Sequence, residues 1–373
     1  MYRALFILWL ILLLSCTAID DSHAVEDTVF NPQLSDALQK ALEKVKGILK
    51  SDNISASLYI SDRCFWEGAA GVTKQDPDVP VDSDMLFGFG SITKTFVAGI
   101  VLQLVEEKKL NLNDPLGNWL PQYSNIDANL TVRQLLNHGS GLDDFFRNES
   151  YRSEVKADLD RVWLPEDTLK FVGPPLDIGS APPKYSNTNY ILLGMIIEAT
   201  TGNSLEYELQ SQITGPLQLD STYLPKQDFD PERWADSTNL SSSVYSSVWA
   251  AGAIASTPRE IAKWSHTLYS GNFLQPASLE SMLITETRRI GRRDEIPMGL
   301  GVLKLKVEGE TAWGHGGSFY PFFSRTFYIP ELGLSVAYSF SLTKKGGQLI
   351  PVNHLVRTYI ENQPQDISMC FDS

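Results

Sequence analysis

At 373 residues, with 43% hydrophobic and 20% charged residues, the chain can bury a large core and lacks the composition of a disordered protein. Its net charge of −14 argues against nucleic acid as a partner, because such binders need a basic footprint. Otherwise an acidic surface implies little beyond solubility.

The N-terminus reads as a targeting segment. Arg3 precedes an uncharged run from Ala4 to Leu14, the length of a signal peptide and too short for a comfortable membrane span. Cleavage after Ala24, in Ser22-His23-Ala24, would release residues 25–373 as one exported domain, periplasmic or extracellular. The alternative is lipidation of Cys16 in Leu14-Ser15-Cys16, which would tie the protein to a membrane. Cys64 and Cys370 would remain in an oxidising compartment, either bridged or as two free thiols. Asn53, Asn129, Asn148 and Asn239 each open an Asn-x-Ser/Thr acceptor site.

Residues 33–50 place Leu34, Ala37, Leu38, Ala41, Leu42, Val45, Ile48 and Leu49 at helical spacing, which predicts an amphipathic helix. Strands Ala56–Ile60 and Cys64–Gly71 follow as a hairpin, then a polar loop to Val81. A Gly-rich approach, Phe87-Gly88-Phe89-Gly90, delivers Ser91 to an apolar helix that runs through Glu107. Helices are predicted from Leu130 to Asn137 with Thr131 as cap, from Ser186 to Thr200 ending at Gly202, and from Pro258 to Tyr269 behind Thr257. After Gly299 the pattern becomes strands: Val302–Val307, Glu310–Gly314, Phe322–Ile329 and Leu334–Phe340, with a last helix from Leu349 to Glu361. This is an α+β layout in two regions. The ends, about 25–80 and 297–373, are expected to share one antiparallel sheet covered by the first and last helices; about 81–296 forms a mainly helical region.

Three stretches carry chemistry. Ser91 and Lys94 stand one helical turn apart on one face, so a buried, unprotonated amine could activate the hydroxyl. Ser153/Lys156 and Ser341/Lys344 repeat the spacing, but in a charged helix face and in a turn. Tyr185-Ser186-Asn187 follows a Pro-rich loop and starts a helix, so a phenol and an amide could point into a cleft; Tyr123-Ser124-Asn125 reads as a surface turn. His315-Gly316-Gly317-Ser318 ends a predicted strand, where glycines let a ligand approach and His315 could supply a donor or a positive charge.

Taken in order, Ser91-x-x-Lys94, Tyr185-x-Asn187 and His315-x-Gly317 resemble the active-site set of the penicillin-recognising serine hydrolases. The Tyr-x-Asn and His-x-Gly forms are similar to the branch of class C β-lactamases, D-Ala-D-Ala carboxypeptidases and esterases. The likeness runs roughly from Leu34 to Ile360 and includes Leu135-Leu136-Asn137-His138-Gly139-Ser140-Gly141-Leu142. It implies a β-lactamase-like fold, with Ser91 acylated, Lys94 and Tyr185 as the base network, and Asn187 as a substrate amide ligand. It also implies an oxyanion hole from the N–H groups of Ser91 and Ser318, beside Gly317, and a pocket lined by Trp249. Two departures stand out: Gly316 replaces a Thr hydroxyl, and Leu303 stands where the carboxypeptidases carry a carboxylate-binding Arg. Arg288, Arg289, Arg292 and Arg293 read as a solvated turn that could compensate. No cofactor or metal is expected: there is no His-Glu-x-x-His and the five His are scattered. The expectation is an exported serine hydrolase of small peptides, amides or esters, D-alanyl peptides first. An esterase or weak β-lactamase, and a catalytically silent binding protein, are the alternatives.

Overall fold

Alternation in Asn53–Ser61 sends Ile54, Ala56 and Leu58 to one face of a sheet and Ser55, Ser57 and Tyr59 to the other. Leu334–Ser341 does the same with Val336, Tyr338 and Phe340 against Ser335, Ala337 and Ser339. These two strands, from opposite ends of the chain, are hydrogen-bonded neighbours. The ends therefore do share one sheet, as expected from the sequence.

The computed structural model describes residues 28–61, 64–73, 79–175, 182–227, 229–238, 240–290, 294–342 and 353–362. The signal segment, Cys16, Cys370, Asn239, Arg292 and Arg293 lie outside the described residues. The strands are β1 (Thr28–Val29), β2 (Asn53–Ser61), β3 (Cys64–Gly71), β4 (Phe87–Gly88), β5 (Ala255–Ser256) and β6 (Glu286–Ile290). They continue as β7 (Asp294–Met298), β8 (Leu303–Val307), β9 (Glu310–Phe319), β10 (Phe322–Ile329) and β11 (Leu334–Ser341). Nine form a single sheet in the order β1-β3-β2-β11-β10-β9-β8-β7-β6, while β4 and β5 form a separate pair. The helices are α1 (Pro32–Leu49), α2 (Thr93–Glu106), α3 (Val132–Leu136), α4 (Glu149–Ala157), α5 (Pro165–Leu169) and α6 (Thr188–Thr201). After them come α7 (Leu205–Leu209), α8 (Ser242–Gly252), α9 (Pro258–Tyr269), α10 (Pro276–Leu283) and α11 (Asn353–Glu361).

Helix α1 starts where Asn31 accepts from the Leu34 N–H at 2.9 Å and Pro32 takes the first helical position. Its buried stripe and that of α11 cover the Ile54–Val336 face. Ile48, counted in that stripe from the sequence, is instead 61% exposed. The opposite face carries small residues, so α9 lies close over β2 and β11 with Ile261 and Trp264 buried. Two serine hydroxyls of β2 beneath it are satisfied across the ladder: Ser55 donates to the Gly68 carbonyl at 3.1 Å and Ser57 to that of Trp66 at 2.8 Å. Helices α2, α6 and α8 pack on one another and form the centre of the second region.

Three readings change. The C-terminal part of the sheet begins at Glu286, before the boundary at 297: β6 is a charged edge strand paired with β7, and the arginines of this hairpin made it read as a turn. Arg288 in that hairpin is buried, with Nε donating to the Asn137 carbonyl at 2.7 Å and a guanidinium N–H to Glu286 at 2.6 Å. Asn53 is fully buried and donates to the Val72 and Ala235 carbonyls at 3.2 and 3.0 Å, so no glycan can occupy it. Cys64 is buried and disulfide-bonded, which removes the reading of it as a free thiol; Cys370 lies outside the described residues.

Candidate active site

Ser91 sits on a single 3-10 turn, Gly90–Ile92, that leads straight into α2. The turn is pressed against β9. Gly90 has φ +53°, and a Cβ there would stand 2.9 Å from the Ser318 nitrogen. A Cβ on Gly317 would collide with the Phe89 carbonyl oxygen. The seam is tied by Ser324, which donates to that same carbonyl at 3.0 Å. Thr93 donates to the Gly90 carbonyl at 2.7 Å and accepts the Ile254 N–H at 3.0 Å.

Strand β9 was expected to stop at Gly314 but continues to Phe319, because β10 pairs with it along that length. On the other side β8 ends with Leu303 opposite Gly314. From His315 onward β9 thus presents a free edge among the described residues. Phe319 and Phe322 flank a two-residue loop and form its hydrogen-bonded pair, so alternation turns the Ser318 N–H away from β10, toward Gly90 and Ser91. That is the geometry an oxyanion needs.

Lys94 is 0% exposed. Its Nζ meets the Ser91 hydroxyl at 3.2 Å, the Asn187 Oδ1 at 2.9 Å and the Ala251 carbonyl oxygen. Burial lowers its pKa to about 7, and the Asp144 carboxylate works in the opposite direction. A neutral amine has two N–H bonds and one lone pair. Asn187 Oδ1 and the Ala251 carbonyl can only accept, so they take the two hydrogens and the lone pair is left for Ser91.

Tyr185 is held by its neighbours. Its ring stacks on His138 with centroids 4.0 Å apart, and Lys94 Nζ lies 5.1 Å from its centroid. Its buried hydroxyl has no settled hydrogen bond; burial raises its pKa and the Ser91 hydroxyl pulls it partly back. It therefore stays a phenol, a proton donor. His315 corrects its expected role. Burial and Lys94 push its pKa down to about 3, so it carries no positive charge near neutrality. Its Nδ1 proton is committed to the Gly316 carbonyl at 2.6 Å, leaving Nε2 as an acceptor.

The cleft over these groups has a volume of about 480 Å³, bounded by Ser91, Tyr185 and His315 on one side and by β7, β8 and β10 on the other. Trp249 does not line it. Its indole donates to Glu206 at 3.1 Å, toward a separate cavity of about 330 Å³, and its ring fills the space over Gly194. The neighbours Val248, Ala251 and Gly252 face Ser91 in its place.

A family model described as Beta-lactamase matches residues 43–357. The chain belongs to the beta-lactamase family. It is similar to a D-stereospecific amidohydrolase from Streptomyces sp., with 28% identity, TM-score 0.72, and 88% and 97% of the two chains covered. It is also similar to D-amino acid amidase from Ochrobactrum anthropi SV3, with 25% identity, TM-score 0.74, and 89% and 100% covered. Among curated proteins it matches penicillin-binding protein 4* of Bacillus subtilis at 26% identity, covering 64% of this chain and 57% of that one. Teichoic acid D-alanine hydrolase of Staphylococcus aureus matches at 27%, covering 59% and 56%. The chain spans about half the length of the curated relatives it matches.

Within this beta-lactamase-like fold two residues that hold the site had no role assigned from the sequence, although His138 stands in the Leu135–Leu142 stretch that resembles the family. Asp144, buried, accepts from the Asn187 backbone N–H and from its side-chain amide, both at 3.2 Å. His138, with φ +55°, accepts the Ser186 N–H at Nδ1 and carries Tyr185 on its face. Asp144→Asn is expected to lower kcat about tenfold, by loosening the amide that orients Lys94. Because Asp144 raises the Lys94 pKa, the variant's acid limb should move to lower pH. A pH–rate profile checks both; an unchanged limb would contradict the coupling.

Proposed function

We propose that this chain is an exported serine hydrolase that forms an acyl-enzyme on Ser91, with amides and peptides of D-alanine as its substrate class. The observation that carries the reading is Lys94: a fully buried amine within hydrogen-bonding distance of the Ser91 hydroxyl, the Asn187 amide oxygen and the Ala251 carbonyl. Lys94 takes the Ser91 proton as Oγ attacks the carbonyl carbon, and the N–H groups of Ser91 and Ser318 receive the oxyanion. The proton returns through the Tyr185 hydroxyl to the leaving amine, and water then cleaves the ester by the reverse route. Here Lys94 is the base and Tyr185 the relay, since burial favours the neutral amine and disfavours the phenolate. Supporting the D-configuration, the names of several relatives specify it: a D-stereospecific amidohydrolase, a D-amino acid amidase and a teichoic acid D-alanine hydrolase. Export rests on the segment Arg3–Leu14 and agrees with a disulfide-bonded Cys64.

The missing hydroxyl at Gly316 favours a second reading, an esterase acting on D-alanyl esters. Rates on D-alanine amide, its L-enantiomer and an aryl ester of D-alanine separate the two. Amide turnover with at least a tenfold D preference supports the proposal. Fast ester cleavage with no amide turnover selects the second reading, and equal D and L rates sink the substrate class.

A further inference from the structure

The Ala251 carbonyl that meets Lys94 lies in α8, whose regular course would occupy it. In a continuing helix that oxygen would accept the Ala255 N–H. Ala255 instead donates to the Tyr223 carbonyl at 3.0 Å and accepts the Tyr223 N–H at 3.1 Å. The break starts two residues before Ala251. Trp249 has φ 30° and ψ −117°, a conformation that sterics deny to a bulky residue unless its surroundings hold it there. Two devices hold it. Its buried indole donates to Glu206 at 3.1 Å, and Glu206 is braced by Lys226 at 3.0 Å. Its ring takes the space of a side chain at Gly194: a Cβ there would stand 2.7 Å from the ring, in the middle of α6, where glycine costs helix stability. Glu206 and Tyr223, which fix the two ends of the kinked segment, both line the separate cavity of about 330 Å³. Strain, a mid-helix glycine and a braced carboxylate thus converge on a residue that lines no part of the cleft at Ser91.

We propose that Trp249 is a positioning residue for the acylation step: latched by Glu206, its kink turns the Ala251 carbonyl out of α8 and onto Lys94 Nζ. A carbonyl so placed orients the amine for Ser91. It also stabilises the ammonium more than the neutral amine, so its withdrawal lowers the Lys94 pKa. Asp144, His138, His315, Tyr185 and Tyr190 also face Lys94 and are the same in every variant below. The inference deepens the proposed function and rests on Ser91 as the acylated group.

Three variants separate the latch from its charge. Trp249→Phe removes the donor, Glu206→Ala removes acceptor and charge together, and Glu206→Gln removes the charge but can still accept the indole N–H. Trp249→Phe and Glu206→Ala are expected to lower kcat on D-alanine amide about tenfold with KM little changed, and to move the acid limb of kcat/KM to lower pH. Glu206→Gln should keep most of kcat and the wild-type limb. Lys94 is also titrated directly by NMR on protein labelled with 13C-lysine, its signal assigned by Lys94→Met, a readout that needs no turnover. A Lys94 pKa lowered in Trp249→Phe and Glu206→Ala but not in Glu206→Gln supports the assignment. An unchanged Lys94 pKa in folded Glu206→Ala, or the same shift in Glu206→Gln, overturns it. Glu206 is partly exposed, so its two variants decide the matter if Trp249→Phe does not fold. If wild type cleaves no D-alanyl substrate while the titration pattern holds, the proposed reaction falls and the latch on Lys94 stands.

Discussion

Lys94→Met is expected to lower kcat/KM by about 10²- to 10⁴-fold, the usual worth of a positioned base. Met keeps the volume of the buried stem, so the loss reports the amine and not a cavity. Wild-type kcat/KM should rise tenfold per pH unit and level off near pH 7, where Lys94 loses its proton. That limb should vanish in the variant. Stability carries the same signature. The folded pKa of about 7 lies below the usual 10.5, so between these values the unfolded chain binds the extra proton and stability rises with pH. Below pH 7 the cost of the buried ammonium is present in full; above about 10.5 it is gone. Melting temperatures from pH 7 to 10 should climb in the wild type and climb less in Lys94→Met. A variant with near-wild-type rates and the same acid limb would remove Lys94 from the chemistry.

Gly317→Ala is expected to cost about 3 kcal/mol and to abolish acylation of Ser91 in whatever fraction folds. The added methyl points at the Phe89 carbonyl and at the Ser324 hydroxyl that binds it, both at the seam between β9 and the nucleophile turn. Backbone cannot yield there as a flexible side chain could. Displacing the turn by even one ångström separates the Ser318 N–H from the place an oxyanion would occupy. Gly47→Ala is the matched control: the site lies in the last turn of α1 with no atom near the new methyl, and should gain roughly 0.5–1 kcal/mol. Thermal unfolding and Ser91 labelling read both. A Gly317→Ala protein as stable and reactive as wild type would show that the seam does not position the site.

What the sequence made legible was local. Ser91 and Lys94 could be paired by helical spacing alone, and Asn187 joins them in space through Lys94 Nζ. The start of α9 followed from Thr257 and Pro258. Hidden features depended on partners far along the chain. Asp144 meets Asn187 across 43 residues of sequence, in a loop with no spacing rule to flag it. His315 carries a motif, but its neutral state follows from burial beside Lys94, which no local pattern reports. Strand β9 runs on through three glycines, poor strand formers, only because β10 pairs with them. Trp249 sat close to a motif and pointed elsewhere, since its backbone, at φ 30°, turns the indole toward α7.

The most direct test of the account is the intact mass of the protein after exposure to a penicillin and, separately, to a fluorophosphonate, on wild type and Ser91→Ala. A single adduct on wild type that is absent from Ser91→Ala is the predicted result. No adduct from either reagent on folded wild type, or equal labelling of Ser91→Ala, would contradict an acyl-enzyme on Ser91.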